Sequence, residues 1–418
     1  MTCRISLLFG ALFFALPSTA IEKTTPRVPP LLAPNCRNVQ IPLGNITAAN
    51  IDFRGLLDEV DMHSPQEVTE IFSSCLDPHL FIDPYDYDII QPIVERNVTI
   101  HGILCQPETP VAVQNRQIHL LVHDISYDKS MWHGLGVPEY SLADALASGL
   151  SGSYTLAIDL WGHGDSHGPT YPDPWQVLQP PFHVEVLHEL AVRLRTNQKG
   201  LWSAFKNITY VGHGFGAQLG SLLLDDHPSD ADTFVGTGFP AGSKMFPRPS
   251  EWMFVPALST DPKYQDQPLG YFAGALTSFP GRRNILYGGS YEDELAELDF
   301  VSQDTITGGE ACWGGSYLAM ETVPMGSHFK GQTCILAGEY DRVSCADAPE
   351  TDQAPECKDK LRAICNVGFP NASSCTINVL GVTGRAWMLH NMGIKAANIV
   401  RKHTAQPRSW GNLCSLMY

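Results

Sequence analysis

No stretch of this 418-residue chain stays apolar for the roughly 20 residues a helix needs to cross a bilayer, so no membrane span is expected. Basic residues are scarce: 27 Lys and Arg stand against 44 Asp and Glu, a formal charge of −17. That balance disfavours nucleic acid and anionic membrane surfaces as partners, because both are bound through Lys and Arg. The cysteines never fall close enough together to suggest a zinc site. No cofactor motif, internal repeat or long low-complexity run is present, so neither metal nor cofactor is expected. The last absence is a single side chain, at Gly214, whose meaning depends on the frame around it.

What is present begins with a leader-like segment. Arg4, the apolar run from Ile5 to Leu16 and the small-residue pattern Ser18-Thr19-Ala20 read as a secretory signal peptide cleaved after Ala20. Secretion, or residence in the secretory lumen, follows as an expectation. Eleven cysteines become an even number once Cys3 leaves with the signal, which suits an oxidising compartment. A Cys36–Cys105 clip and bridges within residues 345–375 are the expected pairings. Glycosylation sequons stand at Asn45, Asn97, Asn207 and Asn371; Asn207 leads straight into a strand candidate, so Asn45, Asn97 and Asn371 are the expected acceptors.

Residues 21–95 read as an N-terminal extension, irregular from Cys36 to about Glu95. After it, strand and helix patterns alternate. Val98–Cys105, Gln117–His123, Tyr154–Asp159, Ile208–Gly212, Asp232–Gly238, Thr333–Ala337 and Thr376–Leu380 are strand candidates, several of them continuous apolar runs suited to burial on both faces. Val184–Thr196 places Val184, Leu187, Leu190, Ala191 and Leu194 on one helical face. The alternation predicts an α/β fold with a doubly wound, mostly parallel sheet, its core split into residues 96–240 and 331–418. The intervening residues 241–330 hold no convincing strand but many aromatics, and are expected to form a lid over a pocket.

Asn207–Gly212 reads as a strand entering the turn Gly212-His213-Gly214-Phe215-Gly216, with a helix of small residues behind it. This is the setting of a nucleophile elbow, in which a strained turn projects the attacking oxygen. Gly214 stands in the nucleophile's place and offers no oxygen.

Five fragments in order make the chain resemble the α/β-hydrolase superfamily, and within it a group of secreted fungal proteins. They are His119–Trp132, Asp159–Ser166 (a D-x-x-G-x-G-x-S turn), the Gly212–Gly216 frame, Ala337–Asp341, and Thr383-Gly384-Arg385-Ala386-Trp387-Met388-Leu389-His390. The resemblance implies an α/β-hydrolase fold over residues 95–403 with a degenerate triad. It places Asp341 at the acid position and Arg385 at the base position, where a guanidinium cannot accept a proton. His390 is the alternative base, with a helix residue packing inward as the competing reading. Asp124 replaces a glycine of the oxyanion loop, whose backbone N–H donors would be Ile125 and Phe215. Trp161, His213, Trp252, Tyr271, Phe272 and Tyr287 are the candidate pocket and lid residues, and His163 is read as structural. Removing the side chain at 214 is expected to deepen the pocket floor, and Asp341 to meet Arg385 as a bidentate pair.

Hydrolysis by a triad is thereby disfavoured. The function expected is cofactor-independent cyclisation, isomerisation or a pericyclic-type reaction on a hydrophobic small molecule, with Asp124, Arg385, Asp341 and His390 as the polar groups. A ligand-binding pseudo-hydrolase without turnover is the alternative, as is residual hydrolase or lyase activity through a water activated by Asp124 or His390. The oligomeric state is left open.

Overall fold

A computed structural model describes residues 32–58, 60–75, 92–109, 111–112, 116–148, 152–198, 200–239, 254–273, 279–319, 325–345 and 353–404. The leader segment, Trp252 and Cys414 lie outside the described residues.

The strands are β1 (Cys36–Ala49), β2 (Ile93–Cys105), β3 (Gln117–Val122), β4 (Tyr154–Ile158), β5 (Asn207–His213), β6 (Thr233–Thr237), β7 (Val255–Pro256), β8 (Tyr271–Ala273), β9 (Thr305–Thr307), β10 (Gln332–Gly338) and β11 (Ser374–Leu380). The helices are α1 (Arg54–Leu57), α2 (Pro65–Cys75), α3 (Leu142–Ala147), α4 (Pro180–Arg195), α5 (Phe215–Asp226), α6 (Phe279–Leu286), α7 (Asp293–Ser302), α8 (Gly308–Ala319), α9 (Gln353–Ala363) and α10 (Gly393–Thr404). Eight strands form one sheet in the order β1-β2-β4-β3-β5-β6-β10-β11. β1 and β2 run antiparallel to their neighbours, and every pairing from β4 to β11 is parallel.

The sheet is covered on both faces, as its apolar strands require. Along β3, Leu120 and Val122 join one hydrophobic core with Phe182 of α4 and Leu219 of α5. Leu121, between them, points into the other core with Leu142 of α3 and Val400 of α10. The order reverses around β3, with β4 on one side and β5 on the other. Doubly wound sheets build their crevices at the carboxyl ends of strands flanking such a reversal. Asp124, Asp159 and Gly214 follow β3, β4 and β5 there.

Two expectations are corrected. The segment read as irregular contains β1, a 14-residue edge strand paired along its length with β2. Val39, Ile41 and Leu43 are buried, then Ile46 and Ala48. A register shift between Pro42 and Gly44 flips the phase midway, with Gly44 at φ +85°; a two-residue period broken by a bulge hides from a pattern search. The segment also carries α2, whose Phe72 lies against Phe272 and Phe254. The lid segment, in turn, does hold strands: β7, β8 and β9 form a small antiparallel sheet.

Disulfides join Cys36–Cys105, Cys75–Cys312, Cys345–Cys357 and Cys365–Cys375. The first matches the expected clip and the last two fall in the expected range, whereas Cys75–Cys312 ties α2 to α8 across 237 residues of sequence. Cys334 is buried, and Cys414 lies outside the described residues. Asn45, Asn97, Asn207 and Asn371 are all exposed. No helix among the described residues is long and apolar enough to cross a membrane.

Candidate functional site

β5 turns into α5 through Gly214, at φ 51° and ψ −111°. An L side chain is strained at such a positive φ, and that strain is what an elbow imposes on its nucleophile. Gly212 and Gly216 give the turn its tightness, since a Cβ on either would lie 2.4 Å from neighbouring backbone. The elbow therefore exists, with nothing at its tip.

The space at the tip is occupied. A Cβ on Gly214 would fall 2.1 Å from the Asp124 Cγ and Oδ1 and 2.2 Å from its Oδ2. The expected deepening of the pocket floor is thus wrong: the carboxylate of Asp124, which follows β3, fills the missing side chain's volume. Its Oδ1 accepts the Phe215 N–H at 2.7 Å and the Ile125 N–H at 2.9 Å. Those are the two donors anticipated for an oxyanion. An internal carboxylate holds both.

The other oxygen of Asp124 meets Arg385, which follows β11. Nε and Nη2 of Arg385 donate to Asp124 Oδ2 at 3.1 and 2.7 Å, and Nη1 donates to the Gly238 carbonyl at 2.8 Å. Asp341 lies farther off, with Oδ1 3.7 Å from Nη1. Its carboxylate is held instead by the Val343 and Ser344 N–H groups, both at 2.9 Å, and by the Ser344 hydroxyl at 2.7 Å. The expected Asp341–Arg385 bidentate pair is therefore replaced by an Asp124–Arg385 pair, with Asp341 as a more distant second carboxylate.

Asp124, Arg385 and Asp341 are 3%, 4% and 0% exposed, so the pair is sealed from water. Burial pushes the Asp124 carboxyl up, but the Arg385 guanidinium, His213 and the Phe215 N–H outweigh it and hold the group below its ordinary value. Burial opposes the Arg385 charge, and Asp124 and Asp341 more than restore it. A carboxylate so stabilised is a poor base, and none of its oxygens is free to orient a water.

His390 is not an alternative base. Its Nε2 accepts the Gly384 N–H at 3.0 Å and its Nδ1 bonds to the Ala386 carbonyl at 2.8 Å. Burial pushes the imidazole down to about 4. The residue packs inward as anticipated, but in the loop before α10 and stacked on Tyr287 rather than within a helix. His213 is fully buried, bonded through Nδ1 to the Thr237 hydroxyl at 2.8 Å. Trp161 packs on Phe182, Tyr271 bonds to the Pro172 carbonyl, and Phe272 meets Phe72 and Trp175. Each lies under 7% exposed; Tyr271 and Phe272 join the lid to its surroundings, whereas Trp161 packs within the core. A cavity of about 310 Å³ opens at the opposite end of the sheet, where Arg116 and Tyr154 precede or begin their strands; it includes none of the site residues above.

Sequence reasoning missed the polar join beneath the lid. Arg282 of α6 pairs through Nε and Nη2 with both oxygens of Asp299 of α7, each at 2.9 Å, and donates to the Ser126 hydroxyl at 3.0 Å. Ser126 also exchanges backbone bonds with Thr305 and Asp304. The lid is thereby stitched to the loop that carries Asp124. Nearby, Glu310 of α8 receives both His163 and His183. The pattern Thr307-x-x-Glu310 before a helix is a capping-box signal that could have located this glutamate. Nothing in the sequence pointed to its imidazole partners.

A sequence model of the family described as "Alpha/beta hydrolase family" matches residues 120–356. No curated protein matches the sequence. Among solved structures, an esterase from Thermogutta terrifontis is 14% identical over 73% of this chain and 94% of its own, with a TM-score of 0.45. The peroxisomal alpha-beta-hydrolase Lpx1 from Saccharomyces cerevisiae is 13% identical over 92% and 94%, with a TM-score of 0.46. A monoacylglycerol lipase from Paleococcus ferrophilus is 14% identical over 73% and 98%, with a TM-score of 0.45.

Proposed function

We propose that this chain, which belongs to the alpha/beta hydrolase family, is a member that does not hydrolyse esters or peptides, its acyl-transfer centre having become a buried structural ion pair. The observation that carries the reading is the Asp124 carboxylate, seated on the Ile125 and Phe215 N–H groups and bound to Arg385. Acyl transfer needs a nucleophile, a base and free donors for the developing oxyanion. Gly214 supplies no nucleophile, Arg385 no base, and the donors are already satisfied by a permanent anion. The most economical role for such a protein is binding without turnover, in the secretory pathway. The four disulfides among the described residues support passage through an oxidising compartment.

A second reading keeps turnover: cyclisation or isomerisation of an apolar small molecule. It is favoured by the stitching of Arg282, Asp304 and Thr305 to Ser126, because displacing the lid would pull the Asp124 loop and free Arg385 for a substrate.

The test is a triple variant, Asp124→Gly, Gly214→Ser and Arg385→His, assayed beside the wild type on short- and long-chain esters. The wild type is expected to show no turnover above buffer, and the triple variant a measurable gain. Wild-type hydrolysis that disappears on Asp124→Asn would overturn the proposal.

A further inference from the structure

Three side chains from three separate elements converge between core and lid. His163 sits in the turn after β4, His183 on the first turns of α4, and Glu310 on the first turn of α8. Their relative exposures are 2%, 0% and 2%. His163 Nε2 and His183 Nε2 lie 2.8 and 2.9 Å from the same Glu310 oxygen, Oε1. The three donor atoms all fall within 4.8 Å of one another.

Two imidazoles and a carboxylate oxygen form a donor set suited to zinc and its neighbours in the first transition row. The surroundings are built to hold such ligands in place. Glu310 Oε2 is fixed by the Thr307 N–H at 2.9 Å and the Thr307 hydroxyl at 3.0 Å, leaving Oε1 to face the imidazoles. His163 Nδ1 faces Asp304 Oδ2 at 4.0 Å, and that oxygen is itself held by the Gly164 N–H at 2.8 Å. That separation is too long for a hydrogen bond, but a carboxylate on the Nδ1 side favours by its charge the tautomer that bares Nε2. Charge points the same way. Glu310 and Asp304 bring two carboxylates into a dry region, and a divalent cation between neutral imidazoles would balance both.

We propose that His163, His183 and Glu310 form a binding site for one divalent transition-metal ion, zinc before others, that fastens lid helix α8 to the core. This departs from the expectation of no metal drawn from cysteine spacing; the ligands lie far apart in sequence and include no cysteine. Seating the ion requires the ligand atoms to open slightly, since bonds of about 2.0–2.2 Å in a tetrahedron place donors roughly 3.4 Å apart.

The experiment uses the full secreted chain, purified in chelator-washed buffer. Elemental analysis is expected to find close to one zinc per chain. Stripping with dipicolinate should lower the thermal midpoint, and adding zinc chloride should restore it. Zinc-edge X-ray absorption on the wild type should show two imidazoles and oxygen but no sulfur, a readout that needs no variant. His183→Gln and Glu310→Gln should each lower the stoichiometry at least tenfold, while His188→Gln, in the half-exposed His188–His227–Asp230 cluster, should leave it unchanged. Absence of metal together with no response to added zinc overturns the proposal. Sulfur ligation, or loss in His188→Gln but not in His183→Gln, overturns it too, by placing the ion elsewhere.

Discussion

Gly214→Ala is the sharpest perturbation of the pair at the elbow. The new methyl would lie 2.1–2.2 Å from three atoms of the Asp124 carboxylate, which must retreat by roughly 1.3 Å to reach ordinary contact. That retreat stretches bonds to Ile125, Phe215 and Arg385 at once. Overpacking costs ~1–3 kcal/mol, and a left-handed φ of 51° adds ~1–2 kcal/mol for an L residue. The loss should be ~2–5 kcal/mol, a large part of a typical domain's ~5–15 kcal/mol. Asp124→Gly removes the obstacle, so in that background the methyl should retain only the backbone term. The assay is a double-mutant cycle of urea unfolding followed by tryptophan fluorescence, with an expected favourable interaction of ~2 kcal/mol or more. The reasoning fails if Gly214→Ala unfolds within ~0.5 kcal/mol of wild type, or if the two changes simply add.

Other consequences are open to measurement. Arg282→Ala would strand the buried Asp299 carboxylate, leaving it the Tyr127 hydroxyl at 3.2 Å, and should cost ~3–5 kcal/mol; the Arg282→Met, Asp299→Leu double variant should lose less than either single change in the same unfolding assay. Cys75→Ser with Cys312→Ser removes a bridge spanning 237 residues and should cost ~2–4 kcal/mol. Hydrogen exchange should then accelerate in α2 and α8; unchanged protection in both would refute the join. Burial holds His119, His123, His133, His213 and His390 at about 4. The unfolded chain, with ordinary values near 6.5, therefore binds more protons between those limits, and stability is full above pH 6.5 and lost as the pH falls toward 4. At pH 5 each group accounts for up to ~2 kcal/mol. Asp159, pushed up to about 7 by its burial, works the opposite way in that window as one group against five. The urea midpoint should drop from pH 7.5 to pH 5, and a flat or rising midpoint would contradict the burial argument.

The sheet was legible because β3, β5, β6 and β10 are short apolar runs buried on both faces, too short for buried helices. All seven expected strands appear within a few residues of their anticipated ends. β1 escaped notice because its alternation changes phase at the Pro42–Gly44 bulge. The elbow was legible from its glycines, which a close turn requires whatever the chemistry. The partner of Arg385 was not. Asp124 lies 261 residues away, and an argument from inherited positions favoured Asp341. Which carboxylate a guanidinium reaches depends on the packing of loops after β3 and β11. Local pattern carries no such information. The His163–His183–Glu310 cluster was hidden for the same reason: it joins a turn, a helix and the lid.

Asp124, seated on the Ile125 and Phe215 N–H groups, also constrains which substitutions the turn can accept. Serine cannot enter at 214 while the carboxylate stands there. The carboxylate cannot leave without abandoning Arg385, and an imidazole at 385 would no longer neutralise it. Conversion to an ester-cleaving enzyme would need three coordinated substitutions, each damaging by itself.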